Sequence, residues 1–320
     1  MAIERCLATA PAASPPGPDA DAGRTGVGAT SWGIARALLT PTGIAGALLE
    51  ATWCGLHLGL YPLGLLGPRA TDQRVGYGLG HLSPTRRGLA VQNVEAAETP
   101  ILLVHGFVDN RSVFTVLRRG LRRRGFGRIE TINYSILTGD VRTAAADLGA
   151  EVERLVAETG YERIHVIGHS MGGIIARYYV TRLGGDRHVH TLVTLGTPHA
   201  GTYSAYGWPS GVTRQLRPGS SLIKEMQQPI RDCQTRFIAY WSDLDQIMLP
   251  PRNAALHHDD LNVHNIELHG VGHMSLPITR AVVHGISTAL AHLDTRGVAV
   301  APGVSDIGTH RAVTCQPRSS

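Results

Sequence analysis

A serine between two glycines is the feature of this chain that points most directly to chemistry. Ser170 is the central residue of Gly-His-Ser-Met-Gly at 168–172, between a short β-branched run at 163–167 and a helical pattern at 173–180. Glycine is needed at a tight strand-to-helix turn, because Cβ atoms at the flanking positions would collide with the backbone. Such a turn lifts the serine Oγ above the edge of a sheet, which predicts a nucleophile for attack on a carbonyl carbon.

A second turn follows the apolar run at 100–104 and carries His105, Gly106 and Phe107. The run predicts a buried strand, and its turn offers the backbone N–H of Phe107. The N–H of Met171, next to the serine, would converge with it on the negative charge that develops when a carbonyl is attacked. These two N–H groups are the predicted oxyanion hole.

A base and an acid are available downstream of the serine. A strand pattern at 265–269 runs into a glycine-punctuated loop that carries His273, and a strand at 236–241 is followed by Asp243 and Asp245. A histidine can take the serine proton, and a carboxylate can orient that histidine. Both aspartates lie in the same loop, so proximity alone does not choose between them.

The residues that follow each aspartate favour Asp245 as the acid. It opens Asp-Gln-Ile-Met-Leu-Pro at 245–250, in which we expect the three apolar side chains to be buried beneath the loop and Pro250 to stiffen its exit. The three are Ile247, Met248 and Leu249. A carboxylate at the start of such an anchored segment keeps little rotational freedom. Asp243 is expected to form a turn by bonding its own backbone.

These blocks together resemble the bacterial, actinobacterial-type lipases and esterases of the α/β-hydrolase superfamily. The sequence Thr-Leu-Gly-Thr-Pro-His at 194–199 and the segment 241–250 belong to the same match, which covers residues 100–293. The resemblance implies the chain order Ser, Asp, His, with Ser170 as nucleophile, Asp245 as acid and His273 as base. It also likens the turn at 105–107 to the oxyanion loop of lipases.

The periodicity of the matched region alternates between strands and helices. Further strand patterns lie at 128–134 and 188–195, and apolar residues at helical spacing mark 145–156 and 282–293. This repeated order predicts an α/β fold with a doubly wound, mostly parallel sheet flanked by helices.

Composition divides the chain into four stretches. Residues 1–31, rich in Ala, Pro, Gly and Asp, are predicted to be a disordered tail. They are followed by an apolar stretch at 32–67, the catalytic domain at 68–294 and a flexible tail at 295–320.

The apolar stretch at 32–67 is interrupted by one charge, Glu50, and by Pro41 and Pro62. A single clean membrane span is therefore not indicated. Two interpretations stay open: a membrane-associated helical segment, or a helical pair packed on the catalytic domain.

Residues 201–234 show no sheet pattern and follow a strand, the place where caps and lids occur in this fold. Their apolar side chains would suit an acyl chain: Tyr203, Tyr206, Trp208, Leu216, Leu222, Ile223 and Met226. The alternative is a packed connection with one short helix at 221–227.

The formal net charge of +5 is diffuse apart from one arginine cluster. The cluster comprises Arg118, Arg119, Arg122, Arg123 and Arg124. It falls on a helix whose apolar face is predicted to be Val113, Val116, Leu117 and Leu121. Because no RNA-binding motif accompanies it, we interpret the cluster as a solvated helix face and predict no nucleic-acid partner.

Several of the 16 histidines need a role other than catalysis. His105, His169 and His199 are expected to orient the backbone or neighbouring loops. His257 and His258, beside two aspartates, lack the spacing of a metal site. No cofactor or metal is predicted.

The predicted function is a serine carboxylic-ester hydrolase that cleaves lipid-like acyl esters through a Ser–His–Asp triad and an acyl-enzyme. An acyltransferase with the same triad would differ only in letting an alcohol replace water, and the sequence does not separate the two. A third hypothesis is a non-catalytic, membrane-associated binding protein with a hydrolase fold, against which the complete triad speaks. The expected partner is a small-molecule or lipid ester, and the expected location is membrane-associated or secreted rather than purely cytoplasmic.

Overall fold

Six strands form one sheet in the part of the chain that this computed structural model describes, residues 40–66, 94–107, 111–132, 139–208 and 210–291. The strands are β1 (Ile101–Val104), β2 (Ile129–Ile132), β3 (Ile164–His169), β4 (Val189–Leu195), β5 (Arg236–Ser242) and β6 (Asn262–Leu268). They lie in the order β2-β1-β3-β4-β5-β6, and every neighbouring pair is parallel. Both predicted tails and residues 67–93 lie outside the described residues.

Apolar sequence explains the centre of the sheet. Every residue of β1, β3 and β4 is buried, as expected for parallel strands that are covered on both faces. Strand β6, at the edge, consists of exposed and half-buried residues. The centre of the sheet is therefore the rigid platform from which the loops at its carboxyl edge project.

Helices cover both faces of this sheet. They are α1 (Pro41–Leu66), α2 (Val94–Glu98), α3 (Thr115–Arg123), α4 (Val141–Thr159), α5 (Met171–Arg182), α6 (Gly211–Gln215), α7 (Ser221–Met226) and α8 (Arg280–Ala291). Short 3-10 helices lie at Arg111–Phe114, Gly185–Arg187, Tyr203–Tyr206, Pro251–Ala254 and Leu276–Ile278. Buried residues of α4 and α5 join one apolar cluster, and those of α3 and α8 join another. The two layers confirm the predicted doubly wound α/β fold.

Local sequence sets the ends of α4. The carboxylate of Asp140 accepts the backbone N–H of Arg142 at 2.7 Å, and Gly160 ends the helix with φ at 74°. A short polar side chain at the start and a left-handed glycine at the end are common helix caps. The helix spans the predicted segment 145–156 and extends beyond it at both ends.

The predicted apolar face of α3 is wrong at one position. Leu117 and Leu121 are buried, together with Val113 in the preceding 3-10 helix, but Val116 is 38% exposed. The three buried residues are spaced four apart and share one side of the chain. Val116 is rotated by about 100° from Leu117, which turns it towards solvent.

The order of the strands creates a place for a site. Strand β1 lies between β2 and β3, so the chain leaves it towards one side of the sheet and returns to build the other. The turns after β1 and β3 consequently lie side by side at the carboxyl edge, where ligands bind in open α/β sheets. Residues 105–107 and Ser170 follow these two strands directly.

The described part of the apolar stretch is one continuous helix, α1, which Pro62 does not interrupt. Gly43, Gly46 and Glu50 share a buried face, whereas large apolar residues on other sides are exposed: Ile44, Leu48 and Leu49. Among the described residues, no helix is both long and apolar enough to cross a membrane.

Candidate active site

Ser170 occupies a strained turn between β3 and α5. Its backbone angles are φ 54° and ψ −125°, a region that residues with a side chain seldom adopt. A Cβ on Gly168 would lie 2.5 Å from Cα of Gly173, and one on Gly172 would collide with the carbonyl groups of Val104 and His105. The flanking glycines are therefore required, as the sequence predicts, and the turn holds the serine above the sheet.

The turn after β1 touches the serine. A Cβ on Gly106 would lie 2.9 Å from Ser170 Cβ and 3.4 Å from its Oγ. Phe107 follows this glycine, and Met171 follows the serine as the first residue of α5, where backbone N–H groups have no acceptor within the helix. The two predicted oxyanion donors thus belong to turns that are in contact with each other.

Asp245 and His273 form a buried pair. Nδ1 of His273 lies 2.8 Å from Oδ2 and 3.0 Å from Oδ1 of Asp245, and both residues are almost fully buried. Asp245 Oδ1 also accepts the backbone N–H groups of Ile247 and Met248, each at 3.0 Å. The carboxylate is fixed by its own loop and faces the imidazole.

A glycine makes room for this pair. Gly196, after β4, has φ at 54°, and a Cβ there would lie 2.8 Å from Asp245 Oδ2 and 3.0 Å from His273 Nδ1. Both the backbone conformation and the lack of space therefore demand glycine at this position. It belongs to the segment 194–199 that contributes to the family resemblance.

The other aspartate of the loop bonds to another histidine. Asp243 Oδ2 lies 3.0 Å from Nδ1 of His269, and its Oδ1 accepts the N–H of Gly270 at 2.8 Å. This hydrogen bond and the charge of Asp243 raise the pKa of His269. The predicted turn of Asp243 on its own backbone is wrong, because its carboxylate faces the adjacent loop; Asp245 forms the local turn instead.

The apolar side chains beneath the Asp245 loop also differ from the prediction. Met248 is buried as expected, but Ile247 is 44% exposed and Leu249 is half-buried. The two backbone hydrogen bonds to Asp245 turn the chain sharply here. Only one of the three apolar side chains can then point fully inwards.

His169 contacts the loop of His273. Its Nε2 lies 3.2 Å from the backbone oxygen of His273, and the two ring centroids are 4.8 Å apart. A carbonyl oxygen only accepts hydrogen bonds, so Nε2 of His169 is the donor. The backbone-orienting role expected for this residue fits the geometry, and the contact places His273 beside the neighbour of Ser170.

The sequence interpretation missed one residue at this site, Glu50 of α1. Its Oε1 accepts the backbone N–H of Met274 at 2.7 Å, and its Oε2 accepts that of Ser275 at 2.8 Å. The side chain is buried although it is charged. A single acidic residue in a long apolar stretch was the available signal, since a buried charge needs partners.

The predicted cap at 201–234 divides into two parts. Leu216, Leu222, Ile223 and Met226 are buried in the core cluster. Tyr203, Tyr206 and Trp208 are exposed, and the Trp208 ring lies edge-on to Phe107 with centroids 6.5 Å apart. Residues 216–226 are therefore a packed connection that includes the expected short helix. Residues 203–208 adjoin the predicted oxyanion turn instead.

A buried arginine ties the cap to the serine's helix. Arg177 of α5 donates to the backbone oxygen of Met226 at 2.9 Å and to that of His199 at 3.3 Å. Burial lowers the pKa of Arg177 to about 9. The ring of His199 bonds through Nε2 to the Thr194 hydroxyl group at 3.0 Å, a side-chain contact within the segment 194–199. Within the described residues, no cluster of three His, Cys, Asp or Glu side chains could hold a metal ion.

Part of the sequence is similar to known proteins. A family model described as palmitoyl protein thioesterase matches residues 100–252. The triacylglycerol lipase of Burkholderia plantarii is 28% identical over 122 residues, and that of Pseudarthrobacter phenanthrenivorans is 29% identical over 115 residues. These alignments cover 36% and 33% of this chain, and 33% and 35% of those lipases. The chain thus spans about a third of the length of the curated relatives it matches.

Two solved lipases share the fold. A Bacillus licheniformis lipase in its mature form is 17% identical with a TM-score of 0.51, over 68% of this chain and 96% of that one. Aspergillus fumigatus lipase B is 14% identical with a TM-score of 0.52, over 62% and 54% of the two chains. The fold is that of α/β-hydrolases. Together the comparisons show the fold and a partial sequence similarity to a thioesterase family model and to bacterial triacylglycerol lipases, the type of protein that the sequence resembles.

Proposed function

We propose that this α/β-hydrolase is a serine carboxylic-ester hydrolase in which Ser170 attacks the ester, His273 is the base and Asp245 orients that base. The observation that carries the proposal is the buried Asp245–His273 pair. It lies at the sheet edge where the serine sits on its strained turn. A nucleophile beside a base that a third group orients is the arrangement that acyl transfer requires.

The geometry supports a definite division of work. Because Nδ1 of His273 is bonded to Asp245, its Nε2 is the nitrogen that can take the Ser170 proton. The serine oxygen then bonds to the ester carbon, and the N–H groups of Phe107 and Met171 hold the resulting oxyanion. His273 returns the proton to the departing alcohol, which leaves an acyl-enzyme. Water repeats the cycle and releases the acid.

Apolar surface beside the site favours an ester of an apolar acid. Trp208 contacts Phe107, and Tyr203 stacks on Tyr206 with centroids 6.2 Å apart. All three cap aromatics are exposed. The names of the curated relatives, triacylglycerol lipases, agree with a lipid-like substrate.

Acyl thioesters are a second candidate substrate class, because the matching family model is described as a palmitoyl protein thioesterase. The same proposed triad would serve, with a thiol as the leaving group. A paired assay tests both classes: p-nitrophenyl esters and acyl-CoA thioesters of matched chain lengths from four to sixteen carbons. We expect hydrolysis of esters, with a preference for longer chains. Hydrolysis of thioesters alone would replace the proposed substrate class, and hydrolysis of neither would contradict the proposal.

The acyltransferase hypothesis differs only in the acceptor of the acyl group. Incubation of a labelled p-nitrophenyl ester with and without added alcohol distinguishes the two. We expect free acid as the main product in both conditions, whereas a new labelled ester as the main product would indicate a transferase.

Attachment to a membrane surface stays a prediction of its own. It is supported by the exposed apolar side chains of α1 and by the arginines of α3. The 3-10 helix Arg111–Phe114, which directly precedes α3, packs against α1, so the apolar side chains and the arginines belong to adjacent elements. Arginines near a bilayer favour anionic lipid. We expect co-sedimentation with vesicles that contain phosphatidylserine. Equal recovery in the supernatant with and without vesicles would contradict attachment.

A further inference from the structure

Glu50 makes two charge-assisted hydrogen bonds to the loop that carries His273. One carboxylate oxygen accepts the N–H of Met274 at 2.7 Å, and the other accepts the N–H of Ser275 at 2.8 Å. These are the two residues that directly follow His273. Hydrogen bonds with an ionised acceptor are shorter and stronger than neutral ones, so the loop is firmly held immediately after the proposed base.

The peptide bond between His273 and Met274 is held from both sides. Its carbonyl oxygen lies 3.2 Å from Nε2 of His169, and its N–H donates to Glu50. A peptide unit is planar, so these two contacts fix the plane that adjoins the Cα of His273. The imidazole is fixed separately by Asp245. Backbone and ring of His273 are thus held by different parts of the chain.

Two glycines allow α1 to approach this loop. A Cβ on Gly46 would collide with the carbonyl group of Gly270, and a Cβ on Gly272 would collide with the Glu50 carboxyl group. Gly46 and Glu50 are four residues apart and therefore lie on the same side of the helix. The helix is fitted to the loop of the proposed base, and its one described acidic residue faces that loop.

We propose that Glu50 is a positioning residue for His273, and that α1 is the element which delivers it. This inference rests on the proposed function. In the loop, Glu50 bonds to the backbone N–H groups of Met274 and Ser275, and within its own helix its Oε1 accepts the Cys54 thiol at 4.0 Å. We infer that it acts through His273 and does not contact the reacting ester. Its contribution is to keep Nε2 of His273 aligned with Ser170, since a misplacement of 1 Å can lower a rate by about 100-fold.

The test is the replacement Glu50→Gln in the full chain. Glutamine keeps the size of the side chain, but it can present only one carbonyl oxygen and sets its NH₂ group against the second N–H. With p-nitrophenyl butyrate we expect kcat to fall by roughly 10- to 100-fold while KM changes little, because the acyl-binding surface is untouched. Glu50→Asp keeps the charge but shortens the side chain, and we expect an intermediate kcat.

Glu153→Gln is the matched control. It removes the same charge from an exposed residue of α4, whose partner is Arg187 at 3.4 Å. We expect wild-type kcat and KM for this variant, so a loss confined to Glu50→Gln is not a general effect of net charge.

Amide hydrogen exchange gives a readout that does not depend on activity. The N–H groups of Met274 and Ser275 should exchange slowly in the wild-type protein and at least tenfold faster in Glu50→Gln, because local opening exposes them. Folded Glu50→Gln with wild-type kcat and slow exchange at both amides would overturn the inference. So would a lower melting temperature with kcat unchanged in both Glu50 variants. A wild-type protein that hydrolyses no ester, with faster exchange in Glu50→Gln, would instead count against the proposed function.

Discussion

Two aspartate–histidine pairs connect the same two loops, and they differ mainly in exposure. Asp243 bonds to His269 at 3.0 Å, and Asp245 bonds to His273 at 2.8 Å. The side chains of the first pair are 36% and 73% exposed, whereas those of the second are 0% and 3% exposed. Residue types and bond lengths alone would not distinguish a catalytic pair from a surface ion pair.

The surroundings of each pair supply the distinction. Water and salt screen the exposed pair, so its interaction is weak. The buried pair is screened far less, and its histidine adjoins His169, the neighbour of Ser170. We therefore base the proposed chemistry on the buried pair, which lies beside the residue that precedes Ser170, and four predictions test that comparison.

The largest effect should come from the proposed nucleophile, Ser170, whose neighbour His169 contacts the histidine of the buried pair. Ser170→Ala should lower turnover of p-nitrophenyl butyrate by about 10⁶-fold, because no nucleophile remains to form the acyl-enzyme. The fold should persist, since alanine keeps the Cβ atom and removes only the hydroxyl group. Circular dichroism and a melting curve provide the control. Near wild-type activity in a folded Ser170→Ala protein would contradict the proposed mechanism.

Replacing each aspartate by asparagine compares the two pairs directly. Asp245→Asn should lower turnover by about 10⁴-fold, because the amide favours the wrong tautomer of the base and does not stabilise an imidazolium. Asp243→Asn should retain a turnover close to wild type, since its histidine is exposed and the proposed base has its own buried carboxylate. Initial rates at neutral pH, measured on both folded variants, show which aspartate orients the base. The reverse order would show that the acid is Asp243.

A third histidine shows what burial does without a carboxylate. His165 of β3 is fully buried, and neither ring nitrogen has a hydrogen-bond partner in the described structure. Burial, and then the nearby His190, lower its pKa from 6.5 to about 3. The unfolded chain therefore binds one more proton than the folded protein between these values, and this residue makes stability fall as the pH decreases through that window.

His165→Leu should remove this contribution. As the pH decreases from 6.5 to 4.5, the free energy of unfolding of the wild type should fall more steeply than that of His165→Leu. The two slopes should differ by up to about 1.4 kcal/mol per pH unit. Urea denaturation at several pH values measures both slopes. Parallel curves for the two proteins would mean that His165 is protonated in the folded state.

The smallest effect should come from the exposed pair. Asp243 raises the pKa of His269, so the pair stabilises the fold below the unfolded-state pKa of about 6.5, and this stability is lost as the pH rises through the raised value. Because both side chains are exposed, the contribution should stay within about 1 kcal/mol. His269→Ala should therefore lower the free energy of unfolding slightly at pH 5.5 and less at pH 8.5. A larger loss at pH 8.5 would contradict the ion pair.

Local patterns predicted most of the fold and most of the candidate site. The turn around Ser170 and the turn at Phe107 each directly follow a buried strand, so alternation and glycine spacing were enough to find them. Asp245 needed the family resemblance as well as the local sequence. The reasons given for it were only partly right, since Ile247 is exposed and Asp243 does not bond its own backbone.

Local sequence patterns could not predict the position of Glu50 at the candidate site. It bonds to a residue 224 positions later in the chain, and no periodicity links segments so far apart. The sequence around Glu50 indicates only that a charged residue interrupts an apolar helix. Which loop that helix meets depends on tertiary packing, including the space left by Gly272.

The most direct test of the central claim is covalent labelling with a fluorophosphonate, followed by peptide mapping. The account predicts one adduct per chain, on Ser170, formed at a rate that Asp245→Asn lowers strongly and Asp243→Asn leaves close to wild type. The absence of an adduct, an adduct on another residue, or equal loss of rate in the two variants would contradict it.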